Sequence, residues 1–396
     1  MSAVIAEQDR LQQLAMLRSS ALAFVAKESP ASRARALRAK PPGFDLGFWN
    51  TLAAQGWTGL LAPESAGGYG QGFAEMAEVA AALAAQVAPE PVAPVLVFAG
   101  RLLQGCMDNG LARILLAEMA EGRTLPAVAW QEHASGAADF DSQGRPTEPA
   151  TVCVLSGGGL AMRGGKRHVR PGAAASGYVV TASSTEGLAL VWVPTQSAGL
   201  ARTVDQLADG TYAAGLVCDN VELPANHLLA TGAQAQAALA AAYDETLVVT
   251  AVELLALSRR MLDMSLDYLR TRKQFGKPIG SFQSLHHRAV DMLIQQELSA
   301  AVVAQAVAEL DAGCSGTERA LLAARAKARC SDAALMIGRE AVQLHGAIGV
   351  TDDYDLGLYL QRALVLSAWL GNAGAQRRRV AALSREAAAG GGGAAA

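Results

Sequence analysis

The chain has 396 residues, about half of them apolar, with 33 Lys plus Arg against 36 Asp plus Glu. That is enough apolar material for two or three domains with substantial cores, which excludes a solvated tail, and the near balance of charge leaves no overall field to draw nucleic acid or an anionic bilayer. Cys106, Cys153, Cys218, Cys314 and Cys330 form no close pair that would ligate zinc or do redox chemistry, so buried free thiols in a reducing compartment are expected.

Met1 to Arg10 holds acidic and polar residues early and no apolar core, and no later stretch stays apolar for the roughly eighteen residues a span needs. The expectation is a soluble cytoplasmic protein without a membrane span. Up to about Leu125, Ala and Leu recur at helical spacing, broken by Lys40-Pro41-Pro42-Gly43 and by the Gly-rich segment from Pro63 to Gly70. This predicts an N-terminal α-helical domain over residues 1–124. From there to residue 229 the texture changes. Thr151 to Leu155, Tyr178 to Thr181 and Leu188 to Pro194 are β-branched or apolar runs between Gly-rich turns, which predicts a compact β-domain.

After Gly232 no Gly or Pro occurs until Gly276, and Leu247, Ala251, Leu254, Ser258, Met261, Leu262, Ser265 and Leu269 recur at three- and four-residue steps. One long amphipathic helix, or two meeting end to end, follows. Helical stretches at Ser284 to Leu310, Gly316 to His345 and Leu356 to Trp369 complete a bundle over 230–386, and residues 387–396, only Ala and Gly, read as a disordered tail.

Two segments are more specific. One runs from Arg272 through Gln274-Phe275-Gly276 to Phe282-Gln283; the other is Gln343-Leu344-His345-Gly346-Ala347-Ile348-Gly349, followed by Trp369-Leu370-Gly371. With Phe48 to Trp57 and Pro63 to Gly72, they resemble the acyl-CoA dehydrogenases over nearly the whole chain. The resemblance implies an α+β fold with an N-terminal helical domain, a middle β-barrel domain and a C-terminal four-helix bundle. It also implies FAD between β-domain and bundle, with the adenosine diphosphate half gripped by a neighbouring subunit's bundle. Arg272 would neutralise the pyrophosphate, and Gln274, Phe275 and Gln283 would contact the nucleotide. Gln343, Gly346 and Ala347 would bring backbone against the cofactor, since a residue without a side chain leaves room and bares amide donors. Ala347 stands where a second glycine is usual.

The same resemblance exposes departures. Leu370 occupies the loop position where many members carry the glutamate that removes the substrate α-proton, and leucine accepts no proton. A subset places its glutamate on the helix after the β-domain. Thr246 falls at that position, with Glu245 and Asp244 as the nearest carboxylates, and one residue is about 100° of helical rotation. Leu247 replaces a usual arginine, and Glu253 sits where small residues usually keep the helix thin beside the acyl chain. A buried carboxylate there would have a raised pKa or need a partner such as Arg259 or Arg260. In the β-domain, Gln131 and Ala138 replace a threonine and a serine. Lys166-Arg167-His168-Val169-Arg170 replaces a run whose aromatic shields the flavin, although His168 and Arg170 could stack on or bond to a ring.

Residues serving a neighbour's flavin are thus retained while those serving this chain's own are changed. The resemblance therefore implies an acyl-CoA dehydrogenase subunit completing a shared FAD site in a heterotetramer, of the kind acting on bulky or steroid-derived acyl-CoAs. Alternatives are a self-sufficient homotetramer with Glu245 or Asp244 as base, passing electrons to an electron-transfer flavoprotein, and a structural relative without flavin chemistry.

Overall fold

The computed structural model describes residues 2–134, 138–141, 146–314 and 316–391. The N-terminal part holds α1 (Ser2–Glu28), α2 (Ala31–Leu37), α3 (Leu46–Ala54), α4 (Phe73–Ala84), a π-helical segment Ala93–Ala99, α5 (Gly100–Gln104) and α6 (Gly110–Ala120). Short polar residues start α3 and α6 by accepting the first free amides. Asp45 takes Gly47 N–H at 2.8 Å, and Asn109 takes those of Leu111 and Ala112.

The sheet follows: β1 (Pro126–Ala129), β2 (Val152–Ser156), β3 (Gly159–Val169), β4 (Gly177–Ser184), β5 (Gly187–Pro194), β6 (Leu200–Gln206), β7 (Tyr212–Pro224) and β8 (Leu228–Thr231). Its order is β6-β7-β3-β2-β4-β5-β8, with β1 parallel to β4. The expected barrel does not form: β6 and β8 end the path without pairing to each other, so the sheet stays open. It curls around its own core of Met162, Tyr178, Val180, Val191, Leu216 and neighbours. Register shifts between β3 and β7 at Met162/Gly164 and Lys166/Val169 bend the end of β3, which re-aims the residues from 166 to 170.

The helical bundle comprises α7 (Gly232–Thr271), a hairpin of β9 (Lys273–Gln274) and β10 (Lys277–Pro278), α8 (Gln283–Asp311), α9 (Gly316–His345), α10 (Leu356–Ala368) and α11 (Ala373–Gly391). α7 is one continuous helix, and its middle departs from the amphipathic expectation. Every residue from Ala242 to Leu254 is buried, and α7 packs against the π-helical segment, α4, α5, β5, α8, α9 and α10. The N-terminal helices and the bundle share one continuous apolar core. α11 continues to Gly391, past residue 386 where a tail is expected, and 392–396 lie outside the described residues. Among the described residues no helix is long and apolar enough to cross a membrane.

Candidate functional site

One end of the bundle carries the first group of expected residues. α7 stops at Thr271 and the chain turns through Phe275 (φ 51°) and Gly276 (φ 79°), the two left-handed residues of a tight hairpin. Ile279 N–H donates to Arg272 O at 2.8 Å and closes it. Phe275 is 91% exposed and meets the edge of Phe282 at 6.1 Å. The side chains of Arg272, Gln274 and Gln283 are exposed and make no hydrogen bond or ion pair among the described residues. A large aromatic on a left-handed turn beside a free guanidinium is an arrangement with no use inside the chain.

α9 ends at the same place. Gly346 (φ +64°) opens a 3₁₀ turn, Gly346–Val350, and a Cβ added there would meet nothing within 4 Å, so the turn presents bare backbone outward. Gln343 and Ala347 are exposed beside it. Before it, His345 is 3% exposed, with Nδ1 2.8 Å from Ala341 O and Nε2 3.0 Å from the Tyr354 hydroxyl. Its ring stacks on Tyr268 of α7 at 4.5 Å, and that contact brings the hairpin and the turn together.

The junction of sheet and bundle is filled. Trp130, just after β1, lies edge-on to Phe140 (5.3 Å) and Tyr243 (5.7 Å). Tyr243 OH donates to Leu370 O at 2.6 Å, and Gln376 Nε2 donates to both of those oxygens. Leu370 is 1% exposed with φ 57°, and a Cβ on Gly371 would lie 3.4 Å from Phe140 Cζ. Lys327, wholly buried, supports the loop: its Nζ lies 3.0 Å from Ser367 O, 3.2 Å from Gly371 O and 3.2 Å from Ser331 Oγ. Burial lowers its pKa to about 7.

The two candidate bases are tied to arginines. Asp244 contacts Arg379 at 2.5 Å and Arg319 at 3.5 Å, and Glu245 accepts two bonds from Arg101, at 2.7 and 3.1 Å. Burial raises the Asp244 pKa against the pull of both guanidiniums. Glu253 is buried without Arg259 or Arg260. Its charged neighbours are Arg362, Arg170 and Asp209; burial raises its pKa, and Oε2 has no hydrogen-bond partner among the described residues. Arg170, its pKa lowered to about 10 by burial, packs over the Trp369 ring at 5.1 Å.

His168 (φ 55°) points elsewhere, into a groove of about 760 Å³ on the sheet that Glu132, His133, Gly165 and Thr203 also line. Lys166 is buried under it, 2.6 Å from Glu132. Burial pushes the Glu132 pKa up, but Lys166 and Thr151 outweigh it and hold the carboxyl below its usual value. Gln131 and Asp139 bond each other at 3.2 Å, while residues 135–137 of the same segment lie outside the described residues.

Family models give the class. The acyl-CoA dehydrogenase N-terminal domain matches residues 12–123 and the acyl-CoA dehydrogenase C-terminal domain matches 233–384. The chain belongs to the acyl-CoA dehydrogenase family, whose members are FAD-dependent flavoproteins, and it has that family's fold.

Among its relatives, acyl-CoA dehydrogenase IpdE2 of Mycobacterium tuberculosis is 27% identical over 88% of this chain and 90% of its own length. FadE34 of the same organism is 39% identical, but over 36% of this chain and only 20% of its own length. The solved steroid ACAD Tcur3481-Tcur3483 superposes with a TM-score of 0.83 at 28% identity, covering 96% of this chain and 99% of that one. The ChsE4-ChsE5 complex of Mycobacterium tuberculosis gives 0.83 at 24%, covering 95% and 97%, a likeness of fold.

The exposed residues at the end of the bundle fit the nucleotide half of FAD. The free Arg272 and the bare turn at Gly346 suit an anionic nucleotide. Beside Leu370, Trp130, Phe140 and Tyr243 pack ring to ring and Tyr243 bonds Leu370 O, whereas the groove of about 760 Å³ lies over Glu132 and residues 166–168. Tyr243, Gln376, Lys327 and the three arginines escape sequence reading, since their partners lie up to 144 residues away. Lys327 alone had a signal, a lysine on the apolar stripe of Ala323, Cys330 and Ala334.

Proposed function

We propose that this chain is a subunit of an acyl-CoA dehydrogenase and completes the FAD site of a second, similar chain while running no chemistry in its own cleft. The observation that carries this reading is the contrast between an exposed, unpaired nucleotide arm and a filled junction at Leu370. Arg272 binds pyrophosphate as a charged fork, Phe275 packs on the nucleotide, Gln274, Gln283 and Gln343 bond its polar edge, and the Gly346-Ala347 backbone approaches it. Bound FAD supplies the hydride acceptor for α,β-dehydrogenation of an acyl-CoA thioester, with electrons passed on to an electron-transfer flavoprotein.

α8 turns Val290, Leu293, Ile294 and Leu298 outward, each 43–52% exposed, which suits burial against another chain in a heterotetramer. The likeness to a steroid ACAD supports a bulky, steroid-derived acyl group. The free cysteines Cys106, Cys153, Cys218, Cys314 and Cys330 accord with the cytoplasm.

A second reading, a self-sufficient homotetramer, has in its favour the buried Asp244 with its raised pKa. Asp244→Asn and Glu245→Gln separate the two. On the subunit reading each leaves turnover of the assembled enzyme within about twofold; Asp244→Asn lowers stability by about 3 kcal/mol because it weakens the hold on buried Arg379, and Glu245→Gln by about 1 kcal/mol, since Arg101 is a quarter exposed and keeps its bond to Gln104. A fall in kcat of a hundredfold or more with FAD still bound would establish the self-sufficient enzyme.

A further inference from the structure

We propose that His345 is a positioning residue that holds the two halves of the nucleotide arm, the hairpin of 272–283 and the turn of 346–350, in one fixed register; this rests on the FAD reading above. The two halves come from different helices, and each alone is a short exposed loop. What joins them is one buried imidazole.

Its tautomer follows from its partners. Ala341 O can only accept, so Nδ1, 2.8 Å away, carries the proton and donates. Burial outweighs the pull of the Ala341 and Met264 backbones and disfavours a second proton, so with Nδ1 protonated Nε2 presents a lone pair to the Tyr354 hydroxyl at 3.0 Å, and that hydroxyl donates. Tyr354 lies just past the turn, and Thr351 bonds back to Ile348 O through both its N–H and its hydroxyl, at 3.1 and 2.8 Å. The turn is therefore pinned at both ends by the same ring, directly at Gly346 and through Tyr354 beyond Val350.

The ring's face does the rest. It stacks on Tyr268 with planes 28° apart, and Tyr268 O accepts the N–H of Arg272 at 2.9 Å, the bond from which the hairpin departs. A tilt of the imidazole moves the platform of Arg272 and the cradle of Gly346 together. Phenylalanine at 345 would keep the stack and lose both hydrogen bonds; Tyr354→Phe would lose one and leave the Ala341 bond intact.

The test uses the chain purified together with the acyl-CoA dehydrogenase-like chain that co-purifies with it, stripped of flavin and titrated with FAD by flavin fluorescence, alongside thermal melts. His345→Phe is expected to weaken FAD about tenfold and Tyr354→Phe about fivefold, with the double variant no weaker than His345→Phe alone, since both act through one bond. Arg272→Ala is the control for the arm itself. FAD affinity unchanged in Tyr354→Phe, or additive losses tracking a fall in Tm, would overturn the role of His345, and if Arg272→Ala still weakens FAD the subunit reading stands. Affinity unchanged in Arg272→Ala as well would overturn both. If His345→Phe does not fold, Tyr354→Phe carries the test by itself.

Discussion

At Lys327 the physics of a single residue is unusually clean, because among the described residues no carboxylate pairs with the buried amine; it bonds Ser331 Oγ and the carbonyls of Ser367 and Gly371. With a folded pKa of about 7 against an ordinary value near 10.4, the unfolded chain holds a proton between those values that the folded chain releases. Stability from this group therefore rises with pH, is fully present only above the ordinary value, and is lost as pH falls through about 7. Lys327→Met should remove that slope: melts at pH 6.5 and 9 should show the parent gaining on the variant at the higher pH, and a constant offset would contradict the assignment. The stripe of Ala323, Cys330 and Ala334 marks Lys327 as misplaced in the sequence, but not what it bonds, since Ser367 and Gly371 are about 40 residues further on. The same limit applies to Asp244 and Glu245. Their place on a helix is legible, whereas the arginines that hold them come from α5, α9 and α11.

Elements were more legible than contacts. The Gly- and Pro-free run after Gly232 becomes the single helix α7, and the helix from Gly316 to His345 has the bounds its spacing predicts, because both depend on local propensity and punctuation. Strand runs were legible too, but closure of the sheet was not, as it depends on whether β6 reaches β8 across the whole fold. α4 shows how one element starts another. Its amides Phe73 N–H and Ala74 N–H donate at 2.5 and 3.2 Å to Asp311 at the end of α8, more than two hundred residues away, so the sequence shows only Glu75, which takes Gly72 N–H at 3.0 Å, and not the carboxylate that caps the next two. Asp311→Ala should cost about 1–2 kcal/mol in urea unfolding, with Asp311→Asn recovering part of it. An Arg10→Ala variant, which breaks only the exposed pair to Asp311 at 2.8 Å, should cost under about 0.5 kcal/mol. Equal losses in both would show that the cap is not what Asp311 contributes.

Over the whole molecule, the helical parts share one core and the sheet keeps its own, and α7 runs through the centre where they meet. At the loop of Leu370 the junction of sheet and bundle is packed by Trp130, Phe140 and Tyr243. The hairpin of 272–283 and the turn of 346–350 face outward at the ends of α7 and α9, and on the subunit reading another chain's FAD completes them. The open question of the sequence, whether this chain works for itself or for a partner, thus becomes one of flavin count. The measurement that decides it is the visible spectrum and flavin-to-chain ratio of the protein purified alone, then with its acyl-CoA dehydrogenase-like partner, each challenged with acyl-CoA. Colourless protein alone, and one bleachable FAD per two chains in the complex, lost with Arg272→Ala, is the expected result; one FAD per chain in the isolated protein, bleached by acyl-CoA, would contradict it.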